Sequence, residues 1–318
     1  MTKRSLRSTA ATPRRRSCCG RRASTTSGQS LGEARRCPRR APTSSPSSRR
    51  ACSSIRLTDW LALCREAVVD VRRVLVELPT RADREPVVGQ GEGGDETTAI
   101  DQAAERAVLA RFDGVEDVTF VSEEIGRLGD GSVHVVIDPI DGSLNAKRGI
   151  GFFSLSVAVA SGPTMGDVGF GFVHDFGTEE EWTATRGQGA FLNGHALEGD
   201  GPKDRIEILS FEATRTASVA EKAAAVVDLA YRLRIMGSLA LSLCHLAAGR
   251  VDAVCSLKPA RSVDIAAAQL LVRERGLSID LFEDPPFDVA PLDVEGRSRV
   301  VAAGTPELCQ QLAAALSA

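Results

Sequence analysis

The stretch Val135–Ala146, VVIDPIDGSLNA, limits the fold more than any other part of the chain. Val135, Val136 and Ile137 form an uninterrupted β-branched run, the pattern of a strand buried on both faces. It ends abruptly in two acids three residues apart, Asp138 and Asp141, followed by Gly142, Ser143 and Asn145. Asp, Pro, Gly, Ser and Asn are ordinary turn residues, so a plain strand-to-turn transition is one reading. The other is chemical. Two carboxylates and the Ile140 carbonyl suit a hard cation, and free N–H groups at Gly142 and Ser143 suit an anion if a helix or turn begins there.

Three further stretches place acids at the ends of elements. In GDETTAIDQAAE, Asp95, Thr98 and Asp101 lie three apart, with Thr98 at a helix cap position and Asp101 in or near the first turn. Glu123 and Glu124 end a β-like run. Asp264 falls in the first turn of an apolar helix, between Val263 and Ile265. Each alone reads as a cap or a solvated turn. Gathered without cations, Asp95, Glu123, Asp138, Asp141 and Asp264 would repel one another and some would take up protons. With two or three Mg²⁺ ions the same set becomes a phosphate site.

Periodicity divides the body in two. Leu57–Leu78 and Thr98–Phe112 show helical spacing. The β-like runs 118–121, 133–137, 152–160, 167–174 and 181–184 follow without intervening helices, and Asn193-Gly194 signals a hairpin turn. An antiparallel sheet is expected there. From Ile206 onward strands alternate with helices: strand 206–211, helix 218–229, strand 231–236, helix 239–248, strand 252–257, helix 262–275. The body therefore divides into 55–200 and 201–318, an α+β half followed by an α/β half.

Residues 1–54 differ in kind. They hold 13 Arg and one Lys against the single acid Glu33, and no Val, Ile, Phe, Trp or Tyr. Such a segment buries too little apolar surface to offset its ordering entropy, and disorder is expected. A transit segment, a basic arm for nucleic acid, or an extension from a mis-assigned start all fit it. The rest of the chain carries an excess of acids. No apolar run approaches the roughly 20 residues of a membrane span. Cys18, Cys19, Cys37 and Cys52 lie in the tail; Cys64, Cys244, Cys255 and Cys309 are scattered singly among apolar residues. No spacing suits zinc or a disulfide framework, so reduced buried thiols in a cytoplasmic protein are expected.

Taken together, GDETTAID, SEE, DPIDGSLN, RGQGAFLNG and VDIAAA resemble, in order and approximate spacing, the inositol monophosphatase superfamily of Mg²⁺-dependent, Li⁺-sensitive phosphatases. GGDETTAID, GSLALSLCHLAAGRVDA and ARSVDIAAA resemble its archaeal-type branch, which acts on inositol monophosphate and fructose 1,6-bisphosphate. The resemblance runs from about Leu57 to the C-terminus. It implies a layered αβαβα sandwich and a homodimer. It also implies in-line hydrolysis of a phosphate monoester by a metal-activated water, with no phospho-enzyme. Glu123, Asp138 and the Ile140 carbonyl would hold one metal; Asp138, Asp141 and Asp264 a second; Glu123 and Asp95 a weaker third. Ser143 with Asp95 would act on the water, Thr98 holding the Asp95 loop. Gly142, Ser143 and Asn145 would bind the phosphate, and Gly237 and Ser238 would line the sugar side.

The chain departs from the animal-type pattern at Leu257, where an inositol-binding acid is usual, and Lys258 and Arg261 follow. They are candidates for a second phosphate. RERG (Arg273–Gly276) stands where the family has Glu-Ala-Gly-Gly, and Val263 where it has Trp. Alternative substrates within the family are 3′-phosphoadenosine 5′-phosphate, histidinol phosphate and NADP. A haloacid-dehalogenase phosphatase would need Asp-x-Asp, one residue shorter than the motif here. A nucleic-acid or regulatory protein acting through the basic tail is the non-enzyme alternative.

Overall fold

The computed structural model describes residues 58–199, 203–212, 215–283 and 285–317. The expectation for 1–54, with its four cysteines, lies outside those residues, as does Leu57.

The first half opens with α1 (Trp60–Glu77), the short α2 (Arg81–Arg84), a hairpin of β1 (Val87–Gln90) and β2 (Glu96–Thr98), and α3 (Ala99–Phe112). Asp59 caps α1 by accepting from the Ala62 N–H at 3.0 Å. Then come β3 (Val118–Ser122), β4 (Gly126–Leu128), β5 (Val133–Asp141), α4 (Ser143–Arg148), β6 (Ser154–Ala160), β7 (Val168–Asp175), β8 (Glu181–Thr185), β9 (Gly189–Leu192) and β10 (His195–Ala196). β3 to β10 form one sheet in the order β10-β9-β8-β7-β6-β5-β3-β4, antiparallel except where β3 meets β5. The β9–β10 turn places Asn193 and Gly194 at φ 51° and 76°, the left-handed pair that this hairpin needs.

The second half contains β11 (Ile206–Glu212), α5 (Thr216–Ala223), β12 (Ala230–Arg234), α6 (Leu239–Ala247), β13 (Ala253–Ser256), α7 (Ser262–Glu274), β14 (Ser278–Leu281), β15 (Val300–Ala303) and α8 (Pro306–Ser317). Its sheet runs β12-β11-β13-β15-β14, with β11 parallel to both neighbours and β15 antiparallel to its own. The helix expected over 218–229 is α5 followed by one 3₁₀ turn, Ala224–Val226. β14, β15 and α8 go beyond the sequence reading.

Strand alternation sorts the core into layers. Val135 and Ile137 of β5 pack with α1 and α3 on one face of the large sheet. Val136 packs with α6 and α7 on the other. Those two helices also meet Val254, Val300 and Ala302 of the second sheet, while Leu209, Phe211 and Val301 face α8. The result is the expected αβαβα sandwich, and β5 is buried at all nine positions because helices cover both its faces. Cys64, Cys244, Cys255 and Cys309 are buried free thiols, and burial pushes each pKa up. Among the described residues, no helix is long and apolar enough to cross a membrane.

Candidate active site

The C-terminal end of β5 is irregular. Its register against β6 shifts between Asp138 and Asp141. On a regular strand, residues three apart point to opposite faces. The shift brings both carboxylates into one cleft of ≈ 290 Å³ on the side of α6 and α7. Gly142 follows at φ 93°, a conformation that favours glycine, and a Cβ there would also stand a tight 3.1 Å from the Gly237 and Phe152 carbonyl oxygens. α4 begins at Ser143, and Gly142, Ser143 and Leu144 at its start line the cleft.

Glu123 arrives from the turn after β3 and Asp264 from the first turn of α7. Glu123, Asp138 and Asp264 each offer a carboxylate oxygen within 4.8 Å of the others. Asp138 Oδ1 accepts from the Ile140 N–H at 3.0 Å, and Asp264 Oδ2 from the Arg261 N–H at 2.7 Å. Asp141 Oδ2 accepts from Ser238 Oγ at 2.5 Å and the Ala240 N–H at 2.7 Å, at the start of α6. Burial and then the Asp264 charge push Glu123 up to about 7, and the same causes in the same order take Asp141 to about 7. Burial, Glu123 and Asp141 hold Asp138 well above the ordinary carboxylate range, and burial raises Asp264.

A donor set made only of oxygens fits Mg²⁺ rather than zinc or copper. So does the way these acids raise one another's pKa, which a divalent charge would reverse. A second group, Asp175, Glu180 and His245, also lies close together. Its carboxylates are already committed, Asp175 to the Gly177–Thr178 turn and Glu180 to both Nη atoms of Arg250.

The raised pKa values have a consequence for stability. A carboxyl with a raised folded pKa holds a proton that the unfolded chain has already released, so stability falls as pH rises between the two values. For Glu123 and Asp141 that window runs from the ordinary 4.5 and 3.8 to about 7. In EDTA the melting temperature should therefore fall from about pH 4 to about pH 7, and Mg²⁺ should restore it most at the upper end. A thermal scan whose pH slope has the same sign with and without Mg²⁺ would count against the arrangement.

Of the other residues singled out by sequence, Asp95, Ile140, Gly237, Lys258 and Arg261 also line the cleft. Asp95 is half exposed and pairs with Arg261. Arg261 is buried. Three residues lie behind the cleft wall. Ser238 is buried and spends its hydroxyl on Asp141. Asn145 Nδ2 donates to the Phe152 and Met236 carbonyls at 2.8 Å, tying α4 to the segment before α6. Thr98 caps α3, its N–H and hydroxyl both meeting Asp101 Oδ2.

Four residues outside the sequence-derived set support the site. Asp101 Oδ1 is buried with no hydrogen-bond partner. Asp101 lines a small cavity of ≈ 10 Å³ with Glu123, Asp138, Ile140 and Ser143. Lys147 Nζ lies 3.3 Å from Asp101 Oδ2. Glu105, one turn along α3, accepts from Ser122 Oγ at 2.6 Å and from the Glu124 and Ile125 N–H groups at 3.2 Å, fixing the turn that carries Glu123. Glu212 accepts from the Gly237 N–H at 2.9 Å and orients the far wall. The four-residue step from Asp101 to Glu105, which puts both acids on one helix face, was the available signal for that pair.

A model of the inositol monophosphatase family matches residues 62–318. A fructose-1,6-bisphosphatase/inositol-1-monophosphatase of Methanothermobacter thermautotrophicus is 33% identical over 267 residues, covering 80% of this chain and 95% of that protein. The Nus factor SuhB of Escherichia coli is 32% identical over 238 residues, covering 71% and 87%. A solved structure titled as an inositol monophosphatase–fructose 1,6-bisphosphatase superposes with a TM-score of 0.72 at 27% identity, covering 81% of this chain and 100% of its own.

Proposed function

The chain belongs to the inositol monophosphatase family, and from that premise we propose that it is a Mg²⁺-dependent hydrolase of sugar and inositol phosphate monoesters, with inositol 1-monophosphate and fructose 1,6-bisphosphate as substrates. The observation that carries the chemistry is the meeting of Glu123, Asp138, Asp141 and Asp264 beside the first turn of α4. The dual substrate range rests on the archaeal relatives, whose names couple the two activities.

Glu123, Asp138, Asp141, Asp264 and the Ile140 carbonyl would hold the metal. Bound there, Mg²⁺ supplies Lewis acidity for the phosphoryl oxygens and acidifies water. Gly142 and Ser143 N–H groups receive the phosphate at the start of α4. The ≈ 10 Å³ cavity beside Asp101 and Ser143 has room for about one water. Ser143 Oγ now donates to the Ile140 carbonyl at 2.9 Å, so its lone pairs remain available to orient that water. Asp101 Oδ1, buried and unpartnered, is placed to take the water's proton. The role that the resemblance gave to Asp95 thereby passes to Asp101. Asp95 is half exposed and held by a guanidinium outside that cavity.

A panel of phosphate monoesters assayed with Mg²⁺, with and without Li⁺, tests the reading. Turnover of none of them would overturn it. A preference for 3′-phosphoadenosine 5′-phosphate, histidinol phosphate or NADP would keep the chemistry and change the substrate. Lys258 is half exposed at the cleft. Lys258→Ala should raise KM for fructose 1,6-bisphosphate about tenfold, equivalent to one charge-assisted contact of ~1.4 kcal/mol. Inositol 1-monophosphate should be much less affected. Equal changes for both substrates would remove Lys258 from second-phosphate binding.

A further inference from the structure

The position between Glu123 and Asp95 already contains a cation that belongs to the chain. Arg261 precedes α7, and its side chain is only 4% exposed although it carries a full charge. One Nη donates to Glu123 Oε1 and the other to Asp95 Oδ2. The second also lies 3.4 Å from the Gly93 carbonyl, while Nε is buried without a partner.

The surroundings are shaped to the guanidinium. A Cβ on Gly93 would stand 3.0 Å from both Cζ and Nε of Arg261, so the flat group packs on bare backbone. That backbone is fixed in turn. The Gly93 N–H donates to the Glu123 carbonyl at 3.2 Å and the Glu92 N–H to the Glu124 carbonyl at 3.1 Å. Arg297 donates to the Gly93 carbonyl, and both Arg297 and Lys258 stand 3.9 Å from Asp95 Oδ2.

We propose that Arg261 serves as a permanent built-in cation at the Glu123–Asp95 position, so that this site accepts two divalent ions and not three. The proposal rests on the metal-dependent reading above. A guanidinium stays charged at every pH a protein meets, and its planar fork matches two carboxylates at once. A divalent ion at this position would have to displace a buried charge or stand beside one of like sign. Asp95, with Arg261, Arg297 and Lys258 around it, is already neutralised. Arg261 is thus a positioning residue for Glu123, fixing one of its oxygens as the carboxylate turns towards Asp138 and Asp264.

Counting Mn²⁺ ions bound per full-length chain by equilibrium dialysis, with metal read by mass spectrometry, tests this without an activity assay. The wild type and Arg261→Lys should saturate at two. Arg261→Gln, which removes the charge, should gain a third. Arg261→Ala should gain it too, because the charge leaves with the side chain; this variant decides the matter if Arg261→Gln does not fold. A wild-type count of one or three, or a count of two in a folded variant that lacks the charge, overturns the proposal. No Mn²⁺ bound by the wild type would instead overturn the metal-dependent reading on which it rests.

Discussion

Asp138→Asn is expected to lower kcat by at least about 10³-fold while the protein stays folded, and in EDTA at pH 8 to raise the melting temperature. Asp138 is central to the acid cluster, with Glu123, Asp141 and Asp264 all raising its pKa. An amide keeps the shape and removes the charge. Several kcal/mol of transition-state stabilisation goes with a weakened metal site, and each 1.36 kcal/mol is a factor of about ten in rate. The same substitution relieves repulsion in the metal-free protein, so activity and apo stability should move in opposite directions. The Ile140 N–H loses nothing, because the asparagine side-chain oxygen still accepts from it. Activity within tenfold of wild type would exclude Asp138 as a ligand. Unchanged activity together with lower stability would make it a turn residue only.

Asp101→Asn is the second large effect, expected at about 10²- to 10⁴-fold in kcat, the range for loss of a general base. Its Mn²⁺ count should stay at the wild-type value, since Asp101 is not among the grouped ligands. Asp101 also caps α3 through Thr98, and part of any destabilisation, about 1 kcal/mol, will come from the cap. The comparison with Asp95→Asn separates the two roles. Asp95 is tied to Arg261 and half exposed, so its loss should cost far less in kcat. A larger loss at Asp95 than at Asp101 would return the proton-accepting role to Asp95.

These two residues show where a sequence can be read directly and where it cannot. β5 was legible because three β-branched residues in a row have few destinations other than a strand covered on both sides. Asp138, Glu123 and Asp264 stood out because the resemblance gave them ligand roles; by position alone Asp264, like Asp101, reads as a helix cap. Asp101 did not, because an acid in the first turn of a helix is fully explained by capping, and it does cap. What distinguishes it is a buried, orphaned oxygen on a residue that lines a small cavity, a fact of packing between α3 and β5. The place of Arg261 was equally hidden. In sequence it belongs to a basic loop after β13; in space Gly93, 168 residues away, makes room for it. β14 and β15 have four residues each and carry too little periodicity to be separated from their loops. The register shift that lets an acid pair three apart share one face leaves no mark beyond Pro139, which has no N–H to give the ladder.

The order of the layers also has a meaning in time. The large sheet supplies Glu123, Asp138 and Asp141 from the first half of the chain, and Arg261, Asp264 and Arg297 come from the second. At a synthesis rate of roughly 5–20 residues per second, on the order of ten seconds separates the emergence of Asp141 from that of Arg261. Through that interval the nascent chain carries Glu123, Asp138 and Asp141 with neither the guanidinium nor the last acid that meet them in the folded protein. The N-terminal sheet is therefore electrostatically unfinished until α7 docks beneath it, and assembly of this centre is a late step in the birth of the protein.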